Sequence, residues 1–573
     1  PARPGAKCCE KCGRSLADAP GWLAAQPAPA PAPPNAAVPR YLAEKILASR
    51  RFVEGERKQV TVLFADIRGS TSLIEKLDPE EVRRHFDPII HIMMDAVHHY
   101  EGTVNQVLGD GIMALFGAPL AHEDHAVRAC YAALKMQEGI RRYTERLGAN
   151  NETPKIGVGI NSGEVVVRSI TNDLNIDYSA MGHTTHLAAR MEAMAGGGSI
   201  LITADTLREV EGFVEVQALG PVQVKGFSSK VEVFDLIGAT GVRNRFQAAA
   251  ARGLSSFVGR QTEIEAFQRF TARADSKGGR VLALVGDAGM GKSRLVREFV
   301  EYHLPPGWKM LEASSVSYGK ATAFFPVIEL LRNYFSILMG EESTGIQRKV
   351  LEQMLALDET LSESIAPILT LMDAAATPLD GPVAEAISRF NGLEPQEKRS
   401  ATFYALRRLF VRDSLRQPLI LVFEDLHWID GETQAFLDLL VENLPSSRIH
   451  LLVDYRPGYS HAWANKDYYT RIRVDALSSE GANELIESLS GNCADLAPLK
   501  ELLLKRTEGN PFFIEEIVRS FSESGVLVGA KGNYRPGIAV DSLRIPGTEI
   551  APERGELHAA ACLRALALFE GHE

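Results

Sequence analysis

The stretch "RVLALVGDAGMGKSRLVREFV" spans Arg280–Val300. Its five apolar residues Val281–Val285 read as a buried strand, and the run from Ser293 reads as an amphipathic helix. Between them Gly286, Gly291, Lys292 and Ser293 complete the spacing G-x-x-x-x-G-K-[ST], with Gly289 inside it. Glycines at these places let backbone N–H groups converge on phosphate oxygens, and the helix N-terminus adds its dipole. In that setting Lys292 is expected to reach the outer phosphates of a nucleotide and Ser293 to hold Mg²⁺.

Working outward, "QPLILVFEDLHWID" (Gln417–Asp430) is a second apolar strand that ends in Glu424 and Asp425. An acid at a strand end beside a phosphate loop holds the metal or polarises attacking water. The pattern leaves open which of the two does which. "FVGR" (Phe257–Arg260), the phosphate loop, "FEDLHWID" (Phe423–Asp430) and "EGNPFFIEE" (Glu508–Glu516) together resemble the STAND branch of AAA-related ATPases. The resemblance covers about 257–546 and implies an ATP-binding switch, with Arg456 as a nucleotide-sensing residue. The family continues into a winged helix and helical repeats. This sequence departs from that pattern after "LRIP" (Leu543–Pro546), so an altered or missing ligand-sensing part is expected.

Composition sets the frame. With 573 residues, and domains of about 150 residues each, three or four domains are expected. The chain is 45% hydrophobic and 24% charged, which is the balance of a soluble globular protein. A net charge of −11 argues against a general nucleic-acid binder. Apolar runs such as Leu419–Phe423 fall far short of the roughly 20 residues a membrane span needs, and no signal peptide is evident. Six cysteines in so long a chain make no disulfide framework, which fits a reducing cytoplasm. "CEKCG" supplies one C-x2-C knuckle, Cys9 and Cys12, where a zinc ribbon needs two; either it is half of a Zn²⁺ site or these are free thiols.

The domain plan follows. Residues 1–19 are the partial knuckle; 20–57 are a Pro/Ala linker with a helix over 41–57; 58–238 form an α+β domain. Residues 239–256 link it to a P-loop ATPase domain over 257–460, whose helical part runs over 461–546, before an atypical tail at 547–573. Within 58–238, Gln59–Ile67 reads as a buried strand. A helix carries Val82, Phe86, Ile89, Met93 and Val97 on one stripe. Gly109-Asp110-Gly111 turns one strand pair and Asn161-Ser162-Gly163 turns another. Asp66 at a strand end and Asp110 in a turn form a candidate carboxylate pair for divalent metals.

"VTVLFADIRGSTSL" (Val60–Leu73), "GTVNQVLGDGIMALFGAP" (Gly102–Pro119) and "YSAMGHTTHLAARME" (Tyr178–Glu192) resemble the class III adenylate/guanylate cyclase catalytic domain. The resemblance implies a head-to-tail homodimer with sites at its interface. Asp66, Asp110 and the Ile67 carbonyl would hold two Mg²⁺ or Mn²⁺ from one subunit. Arg190 of the other would stabilise the transition state as ATP becomes cyclic AMP and pyrophosphate. Three positions depart from the adenylate cyclase pattern. Gln106 stands for a lysine and Ser179 for an aspartate or threonine in base recognition, and His186 stands for the ribose-positioning asparagine. Gln106 and Ser179 both donate and accept, so they still suit adenine without excluding guanine. A phosphate-binding lysine is expected late in the domain, with Lys225 and Lys230 as candidates.

Other histidines read as structural. His122 and His125 straddle Asp124, a helix cap. His85, His91, His98 and His99 belong on solvated or partly buried faces of a long helix. His183 is expected before the next helix, with Thr184 or Thr185 capping it and Leu187, Met191 and Met194 facing inward. The whole reads as multidomain α+β and α/β: a cytoplasmic signalling adenylate cyclase with an ATP-binding switch, answering an upstream protein or ligand. The alternative is a degenerate cyclase-like domain that binds nucleotide or dimerises for a STAND regulator.

Overall fold

In the computed structural model of the protein, residues 56–70, 78–122, 124–147, 154–172, 175–227, 229–240, 247, 250, 253–272, 278–316, 319–320, 322–338, 341–375 and 381–537 are described. Cys9, Cys12, the Pro/Ala linker and the 547–573 tail lie outside these residues, as does most of the helix expected over 41–57, whose last two positions are strand.

The first sheet is built from β1 (Glu56–Ile67), β2 (Thr103–Val107), β3 (Gly111–Phe116), β4 (Ile156–Asn172), β5 (Asn175–Met181), β6 (Ile200–Thr203), β7 (Val214–Val222) and β8 (Val231–Ala239). Its order is β2-β3-β1-β4-β6-β8-β7, with β5 paired to β4. Helices α1 (Pro79–His99), α2 (His125–Leu147), α3 (His183–Met194) and α4 (Ala204–Val210) accompany it. Proline at its start and Glu80 and Glu81 in its first turn suit the N-terminus of α1. Phe86, Ile89, Met93 and Val97 of its stripe are buried.

Four expectations change here. The turn expected at Asn161-Ser162-Gly163 is absent, and β4 runs unbroken for 17 residues. The reason is that the polar side chains are paired inside. Asn161 donates to the Thr184 carbonyl and accepts from Thr203, and Ser162 meets Thr61 at 2.8 Å. Backbone pairing to β1 continues through Asn161↔Val62, Ser162↔Thr61 and Gly163↔Val60. At α3 the cap is Gly182, with no side-chain cap bond. His183 is already helical, and Thr184 instead donates to the Glu164 carbonyl. Met194, the last residue of α3, is exposed, whereas Leu187, Ala188 and Met191 are buried. His98 is also buried, where a solvated or partly buried face was expected.

The second sheet is parallel. After α5 (Gln261–Ala272) come β9 (Val281–Val285), α6 (Lys292–Tyr302) and β10 (Lys309–Ser314). Five helices follow: α7 (Phe325–Tyr334), α8 (Ser343–Leu357), α9 (Ser362–Leu371), α10 (Pro382–Asn391) and α11 (Pro395–Arg416). Then come β11 (Leu419–Glu424), α12 (Gly431–Asn443), β12 (Ile449–Tyr455) and β13 (Tyr469–Arg473). The strand order is β10-β11-β12-β9-β13. Strands β11 and β12 are buried along their whole length, as expected of a parallel sheet covered on both faces. Asp430 of "FEDLHWID" is a structural cap: it accepts from Glu432, Thr433 and Phe324 N–H groups at the start of α12.

A helical part closes the described chain: α13 (Ser479–Ser490), α14 (Ala497–Thr507), α15 (Pro511–Glu523) and the hairpin of β14 (Leu527–Ala530) with β15 (Asn533–Pro536). It has its own core, including Leu485, Ile486, Leu503, Ile514 and Phe521.

Helix α3 rests directly on β4 at Gly159. A Cβ there would stand 1.9 Å from the Glu192 nitrogen and 2.5 Å from the Ala188 oxygen, both backbone atoms. Gly159→Ala should therefore destabilise the first domain by at least about 2 kcal/mol, read as a lower denaturant midpoint. An unchanged midpoint would show that the helix can lift off without cost.

Candidate functional sites

Asp66 sits one residue before the end of β1, and Asp110 in the turn between β2 and β3. The Ile67 N–H donates to the Asp110 carbonyl at 3.2 Å, which ties the turn to the strand. Gly111 makes room for this: a Cβ on it would lie 2.6 Å from Asp66 Oδ1 and 2.7 Å from the Ala65 carbonyl. Burial, then the charge of Asp110, raises the Asp66 carboxyl above its usual range, against the lowering pull of Arg68. Two carboxylates so close form a hard-oxygen donor pair suited to Mg²⁺ or Mn²⁺. Among the described residues no group of three or more His, Cys, Asp and Glu gathers as a metal site.

Arg68 and Glu192 are neighbours that sequence reasoning did not single out. Arg68 Nη2 lies 2.7 Å from Glu192 Oε1 and also donates to the Glu192 carbonyl. Its guanidinium lies over Gly157, where a Cβ would come within 2.2 Å of Nη2. The pair ties the strand of Asp66 to the helix of His186 and Arg190. The legible signal was an arginine two residues after a candidate metal ligand.

His186 and Arg190 are exposed on α3, four residues apart and so on one face. No hydrogen bond or ion pair joins them to Asp66 or Asp110 among the described residues. Gln106 is exposed on β2, Ser179 pairs with Arg168 across β4 and β5, and Lys225 and Lys230 are exposed. Asp124 precedes α2 and accepts from Arg128 Nε at 2.7 Å.

The second site lies at the ends of the parallel strands. Gly289 and Gly291 have φ of +79° and +86°, which glycine adopts freely. Lys292 is buried and its ammonium donates to the Gly286 and Asp287 carbonyls, each at 3.1 Å. Ser293 follows within the first turn of α6. Strand register sets Glu424 beside Ser314, and Asp454 beside Leu284 of β9. Ser314 donates to Glu424 Oε2 at 3.1 Å. Asp425 adopts φ +55°, and its N–H donates to Asp454 Oδ1 at 3.3 Å.

Burial drives these acids upward. Glu424 is raised well above the carboxylate range by burial, then by Asp454, Glu312 and Asp425. Asp425 is raised by burial, opposed by Lys292 and Arg456. Asp454 is pushed up to about 8 by burial and by Asp425. His427 is pushed down to about 3 by burial and by the cations Arg456, Lys292 and Lys320. Arg456 thus faces the acid cluster. Asp454 and Glu312 were missed from sequence. The one acid in the apolar run "IHLLVDY", two residues before Arg456, was the signal. A cleft of about 250 Å³, lined in part by Gly259, Arg260, Glu263 and Asp475, adjoins the loop through Arg260.

The family model for the adenylate and guanylate cyclase catalytic domain matches residues 52–238, and that for the AAA ATPase domain matches 256–453. The chain carries both domains. An uncharacterized protein of Rhizobium meliloti (strain 1021) is 24% identical over 82% of this chain and 44% of its own length. Over the cyclase domain, adenylate cyclase 1 of the same organism is 29% identical, covering 37% of this chain and 33% of that protein. The adenylate cyclase of Anabaena cylindrica is 30% identical, covering 31% and 37% respectively. The chain spans less than half the length of each of these relatives. Among solved structures, the guanylyl cyclase Cya2 is 35% identical over 34% of this chain and 98% of that one, with a TM-score of 0.32. No helix among the described residues is long and apolar enough to cross a membrane.

The raised Asp454 fixes a sign for pH dependence in the ATPase domain. Its folded pKa, about 8, stands above the ordinary 3.8, so the native state binds more protons in between and stability falls as pH rises through that window. Asp454→Asn removes this. Without divalent metal, its melting temperature should pull ahead of the wild type between pH 5 and pH 8. Parallel curves would refute the shift.

Proposed function

We propose that the protein is a cytoplasmic signalling adenylate cyclase whose ATPase domain acts as an ATP-binding switch. The observation that carries it is the meeting of Asp66 and Asp110 at one end of the β1–β3 pair, in a domain that matches the cyclase family. Asp66, Asp110 and the Ile67 carbonyl would hold Mg²⁺ or Mn²⁺. Bound there, the cations would offset the crowded carboxylates and supply Lewis acidity toward a ribose hydroxyl and the α-phosphate. His186 and Arg190 face outward, as residues that complete a partner's site across a homodimer must. Arg190 would meet charge that develops at the phosphate. His186 would donate to a ribose oxygen, and Gln106 and Ser179 would meet the base edge.

In the ATPase domain, Gly286, Gly289, Gly291 and Lys292 would cradle phosphates, with Ser293, Glu424 and Asp425 around the metal. The cleft beside Arg260 suits the nucleoside end. An upstream protein or ligand would act through this switch.

The full chain with Mg²⁺ or Mn²⁺ should convert ATP to cyclic AMP, and Asp66→Ala should abolish it. Running GTP in parallel reads the base preference left open by Gln106 and Ser179. No cyclic product with either nucleotide across mildly acidic to alkaline pH would overturn the reading. A second reading, a degenerate cyclase-like module, is favoured by His186 where the family places asparagine. It requires silence in the wild type and activity in the double variant His186→Asn with Gln106→Lys.

A further inference from the structure

In the phosphate loop of the ATPase domain, every carbonyl from Gly286 to Met290 has a donor. Lys292 Nζ serves Gly286 and Asp287, each at 3.1 Å. The other three donors come from outside the loop. Asn510 Nδ2 donates to the Ala288 carbonyl at 3.2 Å. The Phe512 N–H reaches the Gly289 carbonyl at 3.3 Å, shared with Asn510 Oδ1. Arg260 Nη2 donates to the Met290 carbonyl at 3.1 Å.

A trans peptide is planar, so the carbonyl of one residue and the N–H of the next point in opposite directions. Holding the carbonyls of Ala288, Gly289 and Met290 therefore turns the N–H group of each following residue, Gly289, Met290 and Gly291, away from the donor that holds its peptide. Successive N–H groups so aimed form an anion-binding concavity.

The two outer residues are themselves anchored. Asn510 is buried and caps α15, accepting from the Phe512 and Phe513 N–H groups. Its approach is close: a Cβ on Gly289 would lie 2.7 Å from Asn510 Oδ1. Arg260 holds φ +65°, pairs with Glu263 at 3.0 Å and donates to the Asp475 carbonyl at 2.5 Å.

We propose that Asn510 and Arg260 are positioning residues for the phosphate loop, fixing its peptide planes so that the cradle is formed before an anionic ligand arrives. This rests on the reading of 286–293 as a nucleotide phosphate site. Preorganised N–H groups bind without first reorienting, so affinity depends on the clamp although neither residue needs to touch a phosphate. The clamp also makes the helical part that begins at α13 a structural partner of the loop, since α15 carries two of the three donors.

The test uses the full chain. Asn510→Ser is neutral and still able to cap α15, but too short to reach Ala288; Arg260→Gln removes the fork. Amide exchange over 286–292 is measured by mass spectrometry without nucleotide, and affinity with a fluorescent ATP analogue and Mg²⁺. Both variants should exchange faster in the loop and bind about fivefold to tenfold more weakly, the scale of one lost hydrogen bond, with melting temperatures near wild type. Unchanged exchange overturns the proposal, whatever affinity does. Faster exchange with unchanged affinity also overturns it, since the clamp would then not limit binding. If the wild type binds no analogue, the nucleotide reading fails by itself. Inorganic triphosphate then replaces the analogue, and weaker binding by the variants supports the clamp while equal or absent binding overturns it.

Discussion

Crowding like charges, half-buried in one domain and buried in the other, is the constraint that both domains share. Strand ends are where it arises. In the cyclase domain an antiparallel turn brings Asp110 to Asp66. In the ATPase domain parallel register brings Glu424, Asp454 and Asp425 together. A carboxylate cluster in low dielectric persists only if protons, fixed cations or metals offset it. Lys292 and Arg456 serve one cluster and Arg68 the other. The same feature that costs stability in an isolated domain gives a site its appetite for cations.

The sequence was informative where chemistry and pattern coincide. The glycine spacing before Lys292 identified a strand–loop–helix, and β9 and α6 stand on either side of it. Asp66 at a strand end and Asp110 in a glycine-flanked turn read as a carboxylate pair, and the fold brings their charges together. What was hidden depends on tertiary neighbours. "INSGE" has the composition of a turn, yet Asn161 and Ser162 find partners on β6 and β1, so the strand continues. Tertiary hydrogen bonds overrode local preference there. Asp454 was concealed for the opposite reason: it lies in a run whose apolar neighbours read only as core. Asn510 carries two roles, cap and donor, and the second joins it to a loop 222 residues away in the chain.

Arg68 and Glu192 connect two parts of the first domain. One lies at the end of β1, where the carboxylates gather. The other is the outward face of α3. A single ion pair, reinforced by donation to the Glu192 carbonyl, joins the end of β1 to α3. Gly157 and Gly159 reinforce it by letting the guanidinium and the helix backbone approach β4 where a methyl group would not fit.

The unbroken β4 has a mechanical meaning. Seventeen residues at about 3.3 Å each make a strand roughly 56 Å long. Its first part is bound to β1, but from Arg168 onward its partner is β5. Ser179 therefore lies where that sheet has narrowed to two strands, beyond the stretch of β4 that pairs with β1. Two-stranded ribbons twist more than broad sheets do. The end of β1 that carries Asp66 and the strand position of Ser179 thus stand on parts of one sheet that differ in width and so in twist.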